Sequence, residues 1–259
     1  MHLVGSAEQA FGPACVGSLP GMSRPVGAGR VRRAFPARHN GGVSYSGDTE
    51  VGGPADLRQL THLTITKLAV GPMDNNTYLL RCRTTGEAVL IDAAAEADRI
   101  LELIGEDGLA RVITTHRHQD HWQALAEVVG QTGAITVAHP DDAAELPVSV
   151  DEPVVHGSRV PVGDCALTVL HLRGHTPGSI ALRYDDPEGH THLFTGDSLF
   201  PGGVGRTWSD EDFRTLLGDV EERVFGSMAD DTWVYPGHGG DTTLGAERPS
   251  LGEWRERGW

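Results

Sequence analysis

Short apolar runs begin at LTITKLAVG, where Leu63, Ile65 and Leu68 sit in β-prone sequence that Gly71 and Pro72 close. NNTYLLRCR and EAVLIDA follow as two strands around a Thr85-Gly86 turn, so the chain opens a sheet rather than a helical bundle. EADRILELIGEDG places Ile100, Leu101 and Ile104 in helical spacing, and LARVIT then returns as a buried strand. DHWQALAEVVGQ predicts a helix with Leu125, Ala126 and Val129 on its apolar stripe. ITVAHP is another strand, and PDDAAELP a polar helical turn or loop. From Val154 to Arg183 the texture is strand-rich, with SRVPVGDCALTVLHLRG and SIALRYDD disposed around a Gly-Asp turn. Residues 209–225, SDEDFRTLLGDVEERVF, form the clearest later helix: Ser209 can cap it, and Phe213, Leu217, Val220 and Val224 make its buried face. The pattern predicts helices outside a large mixed sheet system.

Composition narrows this without redirecting it. With 259 residues and 39% apolar side chains, the chain can bury a substantial core. Residues 1–58 stand apart: they are rich in Gly, Pro, Ser and Arg, show no periodicity, and predict a flexible or irregular extension before a domain over 59–259. Met1 and Met22 are both candidate starts, and a basic arm is the functional alternative for this segment. The 36 acidic and 21 basic residues give a net charge of -15, which argues against nonspecific nucleic-acid binding and anionic membranes. A small anionic substrate remains compatible, because one Arg or a metal pair can reverse the field inside a pocket. Cys15, Cys82 and Cys165 have neither disulfide-framework nor thiolate-zinc spacing. No apolar run is long enough to span a bilayer and no signal core is evident, so a cytoplasmic location is the expectation.

The chemistry concentrates in TTHRHQDH, which sets His116, His118, Asp120 and His121 together directly after an apolar strand. Four such side chains cannot face one way on a strand, so a strand end and a sharp loop are needed to turn them toward one point. Two adjacent metal positions fit better than one. HLRGHTPGS then places His175 before a rigid Thr-Pro-Gly turn, FTGDSLF sets Asp197 at a strand end, and YPGHGG holds His238 between glycines. His171 reads as an outward strand residue and His139 as structural or exposed. Asp92 ends a strand where a buried carboxylate could hydrogen-bond a ligating His.

Over roughly residues 63–244 the ordered motifs THRHQDH, HTPGS, FTGDSLF and PGHG resemble the metallo-β-lactamase-fold hydrolase superfamily, and within it short glyoxalase II-like members. The resemblance implies an α+β fold, an αββα sandwich of two mixed sheets flanked by helices. It also implies two divalent metal ions, zinc first with iron or manganese as alternatives. His116, His118 and His175 would hold the first, Asp120, His121 and His238 the second, and Asp197 would bridge them. Relatives of this kind carry a basic residue at the position of Arg206, which grips a thiol-conjugate carboxylate, and an aromatic one at that of Trp208. Both are therefore candidate substrate contacts. Trp122 stands where many relatives have a small residue, either narrowing the pocket or packing beneath the helix.

Two departures bear on substrate. Asp197 occupies the place of the Cys usual in dizinc class B β-lactamases, which argues against penicillin hydrolysis. Few residues follow His238, where full-length glyoxalase II enzymes carry a long glutathione-holding helical region, which argues against glutathione thioesters. The leading expectation is hydrolysis of a thioester or activated ester by a metal-bridging hydroxide, with Asp120 orienting the nucleophile. The alternatives are a mononuclear iron persulfide or thiol dioxygenase, a lactonase or phosphodiesterase, and a noncatalytic binding scaffold. The expected partner is a small molecule, with an anionic thiol conjugate as one candidate, and a homodimer is compatible with the sequence.

Overall fold

Strands that follow one another in sequence lie side by side in space. The computed structural model describes residues 45–258. Its first sheet has seven strands in chain order: β1 (Asp56–Gln59), β2 (Leu63–Val70), β3 (Asn75–Cys82), β4 (Ala88–Ile91), β5 (Arg111–Ile113), β6 (Ile135–Ala138) and β7 (Glu152–Pro153). β1 to β4 pair antiparallel through short turns. β4 to β7 pair parallel. Parallel neighbours need a crossover, and α1 (Ala97–Ile104) and α2 (Leu125–Thr132) supply the first two, with α3 (Pro140–Ala143) in the third.

The second sheet is built from β8 (Arg159–Val162), β9 (Cys165–His171), β10 (Ile180–Asp185) and β11 (Thr191–Gly196). A ribbon of β12 (Leu199–Phe200) and β13 (Gly203–Val204) and the helix α4 (Asp210–Val220) lead to β14 (Trp233–Pro236) and β15 (Thr242–Thr243), giving the order β15-β14-β11-β10-β9-β8. β11 and β14 are parallel, so this sheet too is mixed. α5 (Leu244–Glu247) and α6 (Leu251–Arg257) follow.

Side chains alternate across a strand, and that alternation makes the layers. Tyr78 and Leu80 of β3 enter a core shared with Leu182, Phe194 and Tyr235 of the other sheet. Leu79 between them turns to the opposite face and packs with Ile100, Leu125 and Val128 of α1 and α2. On the outer face of the second sheet, Leu170 and Leu193 meet Phe213, Leu216 and Val220 of α4. Helices, sheet, sheet and helices are thus stacked as an αββα sandwich, as expected.

Three boundaries differ from the sequence pattern. Residues 1–44 of the expected extension lie outside the described residues, but 45–58 are part of the folded body. Tyr45 packs edge-on against Trp233 and donates its hydroxyl to Asp241, 2.6 Å away, while the amides of Ser46 and Gly47 donate to Asp56. The domain therefore starts before residue 59. α2 begins only at Leu125, because Gln119–His121 form a 3-10 turn that swings His121 inward. The later helix keeps its expected cap, Ser209 accepting from the Asp212 amide, and buries Phe213, Leu217, Val220 and Val224, but widens to a π-turn over Glu221–Phe225. No helix among the described residues is long and apolar enough to cross a membrane.

Candidate metal centre

Strand ends deliver the site. Asp92 follows β4, His116 and His118 follow β5, His175 lies in the β9–β10 loop, Asp197 follows β11, and His238 follows β14. Asp92 sits in the left-handed region at φ 56°, a conformation that costs free energy unless its surroundings hold it. They do: its buried carboxylate accepts from the Thr115 amide (2.7 Å), the Thr115 hydroxyl (2.8 Å) and His121 Nδ1 (2.9 Å).

The outward hydrogen bonds assign the imidazole tautomers. His121 Nδ1 donates to Asp92, His175 Nδ1 to the Arg206 carbonyl at 2.7 Å, and His238 Nδ1 to the Met73 carbonyl at 2.8 Å. Thr115 gives its proton to Asp92, so His116 Nδ1, 3.1 Å from that hydroxyl, is the donor there. In the neutral form of all four rings Nε2 is therefore the atom that carries the lone pair, and these atoms converge. His116 Nε2 lies 3.2 Å from His175 Nε2 and 3.1 Å from His118 Nδ1, and His121 Nε2 lies 3.2 Å from His238 Nε2. Nitrogens each bound to one tetrahedral zinc would stand about 3.3 Å apart.

The two carboxylates sit among these nitrogens. Asp120 Oδ2 is 3.3 Å from His238 Nε2 and 3.6 Å from His121 Nε2. Asp197 reaches both groups: Oδ1 is 3.2 Å from His121 Nε2, and Oδ2 is 3.5 Å from the Nε2 atoms of His175 and His238. Asp197 Oδ1 is buried without a hydrogen-bond partner among the described residues. An orphaned anionic oxygen facing converging lone pairs is costly for protein alone and fits a cation. His116, His118 and His175 form one potential ligand group, and Asp120, His121 and His238 another.

Burial pushes the pKa values of His116, His118 and His175 down, which keeps them neutral as ligands must be. At His121 and His238 burial works in the same direction, but the carboxylates around them outweigh it: Asp197 and Asp92 raise His121, and Asp120 and Asp197 lift His238 to about 10, so a cation binding there must displace protons. Burial alone would raise Asp120 and Asp197, yet the imidazoles around them hold both below the usual carboxylate range.

Several supports carried no clear sequence signal. Asn75 Nδ2 donates to Asp120 Oδ2 at 2.9 Å. Asn76 Nδ2 holds the Pro236 and Gly239 carbonyls, and buried Lys67 Nζ holds Gly239 O and Asp241 Oδ1 at 2.7 Å each, so the loop bearing His238 is pinned on both sides. Gly237 admits no side chain, because a Cβ there would fall 2.2 Å from Asp197 Oδ1. The lone Lys in LTITKLAV was the one available hint.

Of the expected substrate contacts, Trp208 is 64% exposed and its ring centroid lies 6.4 Å from that of His118, which places it at the opening of the site. The Arg206 side chain is exposed, its guanidinium 4.6 Å above the Trp208 ring, while its carbonyl orients His175. Trp122 packs against the α1/α2 core and donates to the Arg117 carbonyl, so it supports the loop from beneath. His139 is buried and stacked on His171, and neither belongs to the groups above.

Asp92→Asn is expected to weaken the affinity of the His121 position for metal by about 10- to 100-fold, since both carboxylate oxygens accept here and an amide would turn its NH2 toward a donor, either the Thr115 amide or the Thr115 hydroxyl and His121. Titration with zinc against a chromophoric chelator measures this, and unchanged affinity at both positions would remove Asp92 from the support of the site.

The family model of the metallo-beta-lactamase superfamily matches residues 70–244. A protein of Aquifex aeolicus, described as uncharacterized, is 31% identical over 223 residues, covering 74% of this chain and 98% of its own length. The hydroxyacylglutathione hydrolase of Rhodospirillum rubrum is 36% identical over 169 residues, 64% of this chain and 62% of that protein, so the match spans less than two thirds of that relative. Among solved structures, TTHA1623 in a di-iron-bound form matches with a TM-score of 0.59 and 32% identity over 70% of this chain and 96% of that one.

Proposed function

Because this chain belongs to the metallo-β-lactamase superfamily of metal-dependent hydrolases, we propose that it hydrolyses a thioester or activated ester at a dinuclear site. His116, His118 and His175 would hold one ion, Asp120, His121 and His238 the other, and Asp197 would bridge the two. The observation that carries this reading is the convergence of lone pairs from rings whose other nitrogens already donate outward. The name of the Rhodospirillum rubrum relative specifies hydrolysis of an acyl glutathione, which is a thioester, and this favours that bond over others. Iron has a specific observation on its side as well, the di-iron form of TTHA1623.

A bound metal pair would supply an acidified water near neutral pH and a Lewis acid for the carbonyl oxygen. The chain does the rest. Asp92, the Arg206 carbonyl and the Met73 carbonyl fix the rings of His121, His175 and His238, so no side chain has to reorganise during the reaction. Asp120, held at Oδ2 by Asn75, orients the attacking water through its remaining oxygen. Trp208 forms an apolar wall at the opening, and Arg206 stacked on it adds positive charge for an anionic substrate.

Anaerobically purified protein loaded with zinc, iron or manganese and offered thioester, lactone, phosphodiester and persulfide substrates tests the proposal. Thioester turnover, abolished by a chelator that strips two ions per chain and restored by the metal, is the expected result. Oxygen consumption with a persulfide, or metal-replete protein inert toward thioesters, would overturn it.

A further inference from the structure

Beside the candidate metal centre lies a cleft of about 400 Å³ whose lining includes Arg117, Arg173, His175, Pro177 and Trp208. His175 and Trp208 line the cleft, and Trp208 also stands at the opening of the centre, so the cleft adjoins that opening. Arg117 arrives there because it stands between His116 and His118 on the same loop. Its side chain is 38% exposed, and its guanidinium makes no hydrogen bond to any described residue. Its Nε forms a long ion pair with buried Asp142 Oδ1 at 3.9 Å, and its Nη groups have no partner among the described residues. That buried carboxylate accepts from the Arg117 amide, the Thr176 hydroxyl and the Gly178 amide. Arg173 differs: its Nε and Nη2 are committed to Asp219 at 2.9 and 2.8 Å. In a chain of net charge -15, an arginine beside the candidate metal centre whose Nη groups have no partner among the described residues offers an anion a place to bind.

We infer that this cleft is a substrate subsite in which Arg117 takes a carboxylate carried by the substrate at a distance from its scissile bond. The inference rests on the hydrolase reading above. A guanidinium offers parallel N–H donors that match the two carboxylate oxygens, and Pro177 and Trp208 give the connecting carbon chain apolar walls. Two acids also line the cleft. Asp212 is engaged by the Ser209 hydroxyl at 2.7 Å, and Asp141, more than half exposed, opposes Arg117 in sign. Removing the charge of Asp141 therefore has the opposite effect to removing that of Arg117.

The test uses two thioesters that differ only in a terminal carboxylate or carboxamide. Arg117→Gln should lower the acid-to-amide ratio of kcat/KM by about 10- to 100-fold, mainly through KM, with Arg117→Lys recovering part of it. Asp141→Asn should raise the ratio. Metal content and melting temperature of each variant establish that the loop bearing His116 and His118 is intact. A ratio unmoved by Arg117→Gln overturns the subsite. A readout independent of turnover is calorimetric titration with the corresponding thioether acid and amide, which hold no bond to hydrolyse. The wild type should prefer the acid, and Arg117→Gln should not. If the wild type cleaves no thioester yet discriminates the thioethers, the hydrolase reading fails and the subsite stands. If it cleaves both thioesters equally well and binds both thioethers alike, the subsite fails and the hydrolase reading stands.

Discussion

Asp197→Ala is expected to empty both metal positions and to reduce hydrolysis by about 10³-fold or more. Among the described residues Asp197 is the carboxylate that reaches both groups of imidazoles, with Oδ1 3.2 Å from His121 and Oδ2 3.5 Å from His175 and His238. Without it the first position keeps only imidazoles and the second only Asp120 as an anion, and the carboxylate that offsets two cations at close range is gone. Metal-assisted stabilisation of a reacting carbonyl is worth several kcal/mol, and each 1.36 kcal/mol is a factor of ten in rate. The fold itself should survive, because Asp197 Oδ1 makes no hydrogen bond to the described residues and the cores lie elsewhere. Elemental analysis and thioester turnover on one preparation measure both effects. A variant that retains two ions per chain would show that Asp197 does not bridge. Melting in the presence and absence of zinc adds a second check: the wild type should gain about 2.7 kcal/mol at a metal concentration 100 times the dissociation constant, and the variant far less.

Lys67→Met should cost about 3–5 kcal/mol of stability, a large share of what a domain of this size possesses. The Lys67 ammonium is fully buried on the strand β2 and donates to Gly47 O at 2.5 Å, to Gly239 O at 2.7 Å and to Asp241 Oδ1 at 2.7 Å. Its removal strands the Asp241 carboxylate, still bonded to Tyr45 and Trp233 but without a cation. Burial already raises the Asp241 pKa even with Lys67 beside it, and losing Lys67 raises it further. A carboxyl whose folded pKa lies above its unfolded one gives stability that is present at low pH and lost as pH rises through the folded value. The deficit of Lys67→Met should therefore shrink on acidification through the raised Asp241 pKa. Lys67→Met with Asp241→Asn should be less destabilised near neutral pH than Lys67→Met alone. Urea denaturation across a pH series decides this, and a deficit independent of pH would show that lost packing rather than the stranded charge dominates. Because Lys67 also holds Gly239 O, affinity at the His238 position should fall in the single variant.

The parts that were readable in advance share a property. His116, His118, Asp120 and His121 lie within one turn of chain, and His175, Asp197 and His238 each sit in a short strand-end motif. Their roles depend on local backbone, which glycine, proline and the end of an apolar run announce. The layers were legible for a similar reason: Tyr78, Leu79 and Leu80 alternate, and a period of two leaves their side chains on opposite faces of β3. Asp92 could be named from its place at a strand end, although its left-handed backbone could not.

Other features needed the folded chain. Lys67 and Asp241 are 174 positions apart, and in sequence a lysine in a strand looks solvent-facing because nothing nearby shows the acid that neutralises it. Residues 45–58 lack periodicity, yet Tyr45 is held by Asp241 and Trp233 from the far end of the domain. The apolar stripe puts the start of α2 too early, because it says nothing of the 3-10 turn that carries His121 inward. How fully Arg117, between two candidate ligands, is paired depends on what Asp142 already accepts from Thr176 and Gly178. The sequence by itself determined the strands, the main helices and the identity of the candidate ligands, because these follow from residue type and spacing within a few positions. Only the tertiary structure decided which charges are paired, which ring nitrogens meet and how fully an arginine is paired, because stacking two sheets joins groups whose separation along the chain carries no physical signal.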